Sequence, residues 1–209
     1  MGLARWIRRR RAAAAVALED QRLRAAGLCR SIGERQYPAE PGTLLGLDPD
    51  HVFRYEWAKP FCDGRVVLDY GCGTGYGSYV LSDGAKKVVG HDTSPEALAW
   101  AAHYAARASN LSFTSEPPAD VFDCVTCFEC IEHVPDPEAT LDWLASHARE
   151  CVLISTPEPP EKGSWSPFHT REFSQDEFFA VLSRRLAIEH HEIQHTSGCR
   201  VVLARCKPL

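Results

Sequence analysis

Asp69, Gly71, Gly73, Gly75 and Gly77 stand at alternate positions directly after the apolar run Val66-Val67-Leu68. A short apolar run that ends in an acid and passes into glycines reads as a buried strand feeding a tight turn, with its backbone open to a ligand. Glycine suits such a turn because φ > 0 carries no Cβ penalty and because a missing side chain lets a ligand approach the backbone. A dinucleotide fingerprint, Gly-x-Gly-x-x-Gly, would place its third glycine at 76 or 78, where Tyr76 and Ser78 stand. The pattern here is Asp-x-Gly-x-Gly-x-Gly. An acid at the base of the loop accepts hydrogen bonds from N–H groups or from a ligand's ammonium, and it repels a pyrophosphate. The spacing therefore points to a ligand with a cationic amino-acid end.

The elements that position this turn follow an α/β alternation after residue 64, which implies a parallel sheet with helices on both faces. A strand over 65–70 is followed by a helix opening near Tyr76. Lys87 to Asp92 is a second strand ending in an acid that follows Gly71 by 21 positions. An acid at that distance and at that strand end can accept both hydroxyls of a ribose. Thr93 or Ser94 then caps a helix opened by Pro95-Glu96, with Ala97, Leu98, Ala101, Ala102 and Ala105 as its apolar face. Leu111 to Thr114 and Val121 to Cys127 read as the third and fourth strands. Leu186 to His195 and Val201 to Ala204 read as a final hairpin turning at Ser197-Gly198, with His190, His191 and His195 as exposed strand residues. A helix over 44–62 precedes the first strand and can fold over the ligand as a lid.

The fourth strand gives way to Glu129-Cys130-Ile131-Glu132-His133-Val134. With the glycine turn, this resembles class I S-adenosylmethionine-dependent methyltransferases of the small-molecule type, which include the ubiquinone-type O-methyltransferases. Four further stretches resemble a bacterial subgroup associated with sugar and polysaccharide modification: Gly33-Glu34-Arg35-x-x-Pro38, His51-x-x-Arg54-Tyr55, Ser155-Thr156-Pro157 and Pro167 to Phe173. The resemblance spans residues 33 to 173. It implies a Rossmann-like, seven-stranded, mostly parallel sheet over 33–209, preceded by a basic helical extension over 1–32, and S-adenosyl-L-methionine as cofactor. The cofactor contacts expected on this basis are Asp69, Gly71, Cys72, Gly73, Gly75, Asp92, Thr93 and Phe128, with Arg54 pairing with the methionine carboxylate. Family members often hold the adenine amino group with an acid just after the third strand. Ser115 and Glu116 occupy that place here. The family's Pro-Gly-Gly turn before the fifth strand is replaced by Ala145 to Glu150.

Methyl transfer from a sulfonium is an in-line displacement, so the protein's tasks are positioning and desolvation. A hydroxyl acceptor also needs a base near neutral pH, and histidine is the residue whose ordinary pKa lies closest. His133, beyond the fourth strand's carboxyl end, and His169, beyond the fifth, are the candidate catalytic pair. Trp57, Tyr76, Phe128 and Trp165 either shape the pocket or belong to the core. The expected reaction is O-methylation of a sugar or secondary metabolite. An N-methyltransferase of a small amine or amino sugar and a non-catalytic cofactor-binding module stay open beside it.

Composition narrows the partners. The chain has 209 residues and a formal charge of −5. Eight arginines against Glu19 and Asp20 give residues 1–30 a local charge of +6, which leaves −11 for the remainder. An acidic body argues against a nucleic-acid groove, and no apolar run reaches the length of a spanning helix. The basic segment imitates a signal peptide, but its apolar stretch is short and Glu19-Asp20 follow without a cleavage site. It is a candidate for docking on an acidic partner or an anionic membrane surface, and a homodimer stays open. Nine cysteines without framework spacing fit a reducing cytoplasm. Cys124, Cys127 and Cys130 have the spacing of a metal cluster, but on a strand Cys124 and Cys127 point to opposite faces. They read as core or loop thiols, and no metal site is expected.

Overall fold

A computed structural model describes residues 35–40, 42–160, 166–196 and 200–209. The expected extension over 1–32, Gly33, Glu34, Trp165 and the turn at Ser197-Gly198 lie outside the described residues. Seven strands form one sheet: β1 Val66–Tyr70, β2 Lys87–His91, β3 Leu111–Thr114, β4 Phe122–Phe128, β5 Ala148–Pro157, β6 Leu186–His195 and β7 Arg200–Pro208. Their order is β3-β2-β1-β4-β5-β7-β6. The first five are parallel, and β7 runs antiparallel to both β5 and β6. The seven-stranded, mostly parallel sheet expected from the sequence is what forms.

Among the described residues, five helices cover the sheet: α1 Pro49–Cys62, α2 Tyr76–Ser82, α3 Pro95–Tyr104, α4 Pro137–His147 and α5 Gln175–Leu182. Period-two alternation divides the strand residues between two cores. Val67, Val88, Cys124 and Leu153 pack with Tyr55 and Ala58 of α1, Leu81 of α2 and Tyr104 of α3. Leu68, Val125, Cys127 and Val152 face Leu141 and Leu144 of α4 and Phe178 and Leu182 of α5. Cys124 and Cys127 thus lie on opposite faces, both as free thiols. Among the described residues, no helix is long and apolar enough to cross a membrane.

The helix starts are chemically explicit. Asp48, Ser94 and Asp136 each cap an N–H two or three residues on, and each is followed by proline at the first helical position. Ser174 and Glu177 form a reciprocal capping box before α5. Three expectations need correction. The lid helix begins at Pro49 rather than 44, because Asp48 caps it and Gly46 turns the preceding chain at φ 85°. The buried face of α3 includes Trp100 and Tyr104. Those bulky rings take the interior, while Leu98 and Ala102 lie on the neighbouring stripe. No loop replaces the missing Pro-Gly-Gly turn: α4 ends at His147 and β5 begins at Ala148.

The lid helix touches α2 at one place where only glycine fits. A Cβ on Gly77 would stand 2.0 Å from Cζ of Tyr55, a buried ring. Gly77→Ala must push Tyr55 off its seat and should cost about 1–3 kcal/mol. Urea unfolding measures the loss, and faster proteolysis within 49–62 would locate it to α1.

Candidate functional site

A cavity of about 880 Å³ opens beyond the carboxyl ends of β1, β2, β4 and β5. Its floor is the glycine turn. Gly73 holds φ 54° and has nothing within 4 Å of where a Cβ would stand, so the backbone presents an open cradle there. Four of the turn's donors are already committed. The N–H groups of Gly71 and Cys72 bond the His91 carbonyl at 2.8 and 2.9 Å, and that of Gly75 bonds the Cys72 carbonyl at 3.0 Å. The Gly73 N–H goes to Asp92 Oδ2 at 3.0 Å. A phosphate would find none of these four available, whereas the carboxylate of Asp92 is on the wall.

Gly71, Cys72, Gly73, Asp92, Thr93 and Phe128 line the cavity, and so do both histidines of the expected pair. Four of the expected contacts do not. Asp69 is wholly buried beneath the turn and accepts from Ser78 Oγ at 2.6 Å, Thr126 Oγ1 at 2.8 Å and Tyr55 Oη at 3.3 Å. Its lone pairs are filled by hydroxyls, so it holds the scaffold instead of meeting a ligand. Gly75 serves as the N-cap of α2, behind the floor. Ser115 is exposed and off the wall, as is Glu116, because the chain folds back through paired bonds between Thr114 Oγ1 and Glu116. Arg54 is buried next to the wall and reaches it through Glu129, 3.6 Å from its Nη2. Its Nε and Nη1 have no partner among the described residues, an arrangement that suits an anionic group.

Of the expected aromatics, Tyr76 and Phe128 are on the wall. Trp57 packs on Phe128 from outside, with ring centroids 6.4 Å apart, and donates to Glu192 at 3.0 Å. Asp92 is bound by more than the Gly73 N–H: the Ser94 N–H reaches Oδ1 at 2.8 Å and Arg35 Nη2 reaches it at 3.2 Å. His91 lines the same end, its pKa lowered by burial.

The opposite end is built by the chain after β4. Glu129 adopts φ 47°, a left-handed conformation that costs a side-chain-bearing residue about 1–3 kcal/mol. Ser155 secures it, donating from Oγ to Glu129 Oε1 at 2.8 Å and accepting the Glu129 N–H at 3.2 Å. Glu132 is 1% exposed, and its carboxyl is pushed well up, first by burial and then by the charge of Glu129. The Glu132 backbone carbonyl accepts the N–H groups of Thr170 and Arg171 at 2.8 and 3.2 Å and the Thr170 hydroxyl at 2.9 Å. This three-point attachment carries His169 to His133, with ring centroids 4.9 Å apart. His133 Nδ1 lies 3.2 Å from the Phe168 carbonyl, and His169 Nδ1 lies 2.8 Å from Glu172 Oε1. Glu132, His133 and His169 offer one ligand-type atom each within 4.8 Å of one another.

The sequence profile of a family described as methyltransferase domain matches residues 16–190. The chain belongs to that methyltransferase family. Among curated relatives, a probable S-adenosylmethionine-dependent methyltransferase of Mycobacterium tuberculosis (strain ATCC 25618 / H37Rv) is 32% identical over 150 residues, covering 63% of this chain and 52% of the relative. A ubiquinone biosynthesis O-methyltransferase of Albidiferax ferrireducens is 34% identical over 153 residues, covering 68% and 56%. This methyltransferase chain therefore spans little more than half the length of those relatives. Among solved structures, the N-methyltransferase NodS from Bradyrhizobium japonicum superposes with a TM-score of 0.65 at 15% identity, over 77% of this chain and 97% of that one. At that identity the likeness is one of fold.

Sequence reasoning about this methyltransferase missed Glu129, Glu132 and Glu172. The signal was present: the acids flank His133 within one turn, and Glu172 follows His169 by three residues. Arg35, Tyr70 and Thr140 on the wall carried no such signal.

Burial, opposed by the three hydroxyl bonds, raises the Asp69 pKa to about 6 from 3.8. A raised carboxyl contributes stability that is whole below the unfolded pKa and is lost as pH rises through the folded one. Wild-type stability relative to Asp69→Asn should therefore fall between pH 4 and pH 7, by up to about 3 kcal/mol. Denaturant titrations of both proteins across that range check the sign.

Proposed function

We propose that this chain is an S-adenosylmethionine-dependent methyltransferase that methylates oxygen on a small-molecule acceptor, a sugar or secondary metabolite. The observation that carries the reading is one continuous cavity joining a glycine turn, whose Gly71, Cys72, Gly73 and Gly75 N–H groups are already bonded within the protein, to a pair of histidines. The cofactor, when bound, supplies an electrophilic methyl group on a sulfonium. The residues present fit it. Gly73 offers a cradle bare of side chain, Asp92 is a carboxylate suited to the ribose hydroxyls, and Glu129 on the wall, backed by the buried Arg54, would meet an ammonium.

The protein's part in the reaction is alignment and proton removal. Cys72, Thr93 and Phe128 enclose the nucleoside side, with Tyr55 set edge-on to Phe128 at 5.1 Å. On the acceptor side, Val134, Pro135, Pro157 and Phe168 give apolar walls beside His133 and His169. Such walls exclude water while an imidazole takes the acceptor's proton. Transfer to an amine is the second reading, favoured by the two carboxyl groups of Glu129 and Glu132 on the same wall. The relatives named as ubiquinone biosynthesis O-methyltransferases support oxygen. The described cysteines are all free, in keeping with a cytoplasmic enzyme.

Calorimetry with adenosylhomocysteine tests the reading. Binding is expected for the wild type, and Asp92→Asn should weaken it by roughly 10- to 100-fold, the worth of one or two hydroxyl bonds to a charged group. Heat on adding NADH, with none for adenosylhomocysteine, would overturn it. Replacing His133 and His169 together by Asn should leave that affinity within about threefold.

A further inference from the structure

The described cysteines are free thiols, and three of them converge away from the cavity. Cys124 of β4 and Cys151 of β5 are partners in the parallel ladder, and both face the core built with α1, α2 and α3. Their sulfurs lie 2.9 Å apart. Cys62, the last residue of α1, brings a third sulfur to 3.8 Å from that of Cys124. A disulfide bond is about 2.05 Å long, so less than about 1 Å separates the Cys124–Cys151 pair from a bonded one. Neighbouring strands stand about 4.8 Å apart, which falls inside the Cα separation of about 4.4–6.8 Å that a disulfide spans. The ladder already supplies the backbone geometry.

The two thiols are not equivalent. Cys124 is wholly buried, whereas Cys151 keeps 7% of its surface exposed and follows the exposed Glu150. As a thiolate, Cys151 accepts the S–H of Cys124, which lowers its pKa, and the charge of Arg65 adds to the effect against the opposing charge of Glu150. Arg65 is kept at this end of the strands by its bonds to Glu150 Oε2 at 2.7 Å and to the Phe61 carbonyl at 3.0 Å. The Cys124 thiol is pushed well up by its two sulfur neighbours and by burial. A thiolate is the nucleophile of cysteine chemistry, so exposure and ionisation both make Cys151 the attacking sulfur and Cys124 the resolving one.

We propose that Cys124 and Cys151 form a peroxide-reactive dithiol, in which Cys151 reduces a hydroperoxide and Cys124 then closes a disulfide that staples β4 to β5. The chemistry needs no nucleoside and so goes beyond the methyltransferase reading. In the first step the Cys151 sulfur bonds the terminal peroxide oxygen, the oxygen–oxygen bond breaks, and the leaving oxygen takes the thiol's proton to depart as an alcohol, or as water from hydrogen peroxide. Cys151 is left as a sulfenic acid. In the second step the Cys124 sulfur bonds that of Cys151, the sulfur–oxygen bond breaks, and the hydroxyl leaves as water with the Cys124 proton. Two thiols lose two electrons and one hydroperoxide gains them. The bond lies four residues before Phe128 and Ser155, about 13 Å from the cavity end of the strands. It therefore fixes the register through which Ser155 secures Glu129, without touching the cavity wall.

The test treats the reduced full chain with hydrogen peroxide, alkylates the remaining thiols in acid denaturant and maps the linkages by tandem mass spectrometry. A Cys124–Cys151 link is expected to exceed every other, and dithiothreitol should reverse it. Cys151→Ser should lower the loss of the Cys124 thiol by about tenfold or more. Cys124→Ser should leave Cys151 as a sulfenic acid that dimedone traps. The oxidised wild type should melt about 2–8 °C above the reduced protein, a rise that Cys151→Ser lacks. A principal link from Cys124 to Cys62, or from Cys127 to Cys130, overturns the proposal. So does full alkylation of Cys124 and Cys151 after peroxide, or a disulfide that brings no rise in melting temperature. The wild-type map needs no substitution, so it decides the question even where a cysteine variant fails to fold.

Discussion

The carboxylate of Asp69 is the point from which the site is hung. Three hydroxyls converge on it from separate elements: Tyr55 from α1, Ser78 from α2 and Thr126 from β4. Burying an unpaired carboxylate is prohibitive, so these bonds form together or the arrangement fails. Bonds to a charged acceptor contribute about 1.5–3 kcal/mol each, enough to fix three elements around the glycine turn despite the cost of desolvation. The acid that the sequence suggests as a ligand contact is the anchor that shapes the contact surface. One Tyr55 ring carries three duties: it bonds Asp69, fills the space left by Gly77, and meets Phe128 edge-on at the cavity.

Sheet topology explains why the cavity lies where it does. From β1 the chain winds outward through β2 and β3, then returns to place β4 on the other side of β1. Connections leave in opposite directions at that reversal, and a crevice opens between them at the strands' carboxyl ends. The glycine turn comes from one side of the crevice and Glu129 to His133 from the other. The two ends of the cavity are thus consequences of strand order, and the backbone carbonyl of Glu132, by tethering residues 170 and 171, brings Phe168 and His169 to the wall.

The sheet was legible because its signals are local. Val66 to Leu68 is a short apolar run, Leu111 to Thr114 alternates apolar and polar residues, and Ser94-Pro95 announces its helix outright. The two histidines on the cavity wall were legible from their place after strands. What stayed hidden depends on contacts between distant segments. Nothing local in Arg35 says that it meets Asp92, 57 residues away, and nothing in Asp69 says that Tyr55 and Thr126 fill its lone pairs. Side-chain direction was decisive for Arg54. Its helix presents His51 and Tyr55 to the cavity, and Arg54, one position away on the turn, goes to the interior.

On the reading proposed, Asp92 serves structure and ligand in turn. A carboxylate accepts about four hydrogen bonds, and three are in use here, from Gly73, Ser94 and Arg35. The two backbone donors hold the turn and the start of α3, so losing them would unmake the site. Arg35 is different: its side chain is 39% exposed, and an ion pair of that kind is worth about 0–1 kcal/mol. Hydroxyl bonds to the same carboxylate are worth more, about 1.5–3 kcal/mol each. On the reading proposed, a ribose diol therefore displaces the arginine and leaves the backbone bonds in place. On that reading, the ordering of these two energies lets the acid hold the turn without the ligand and still receive it.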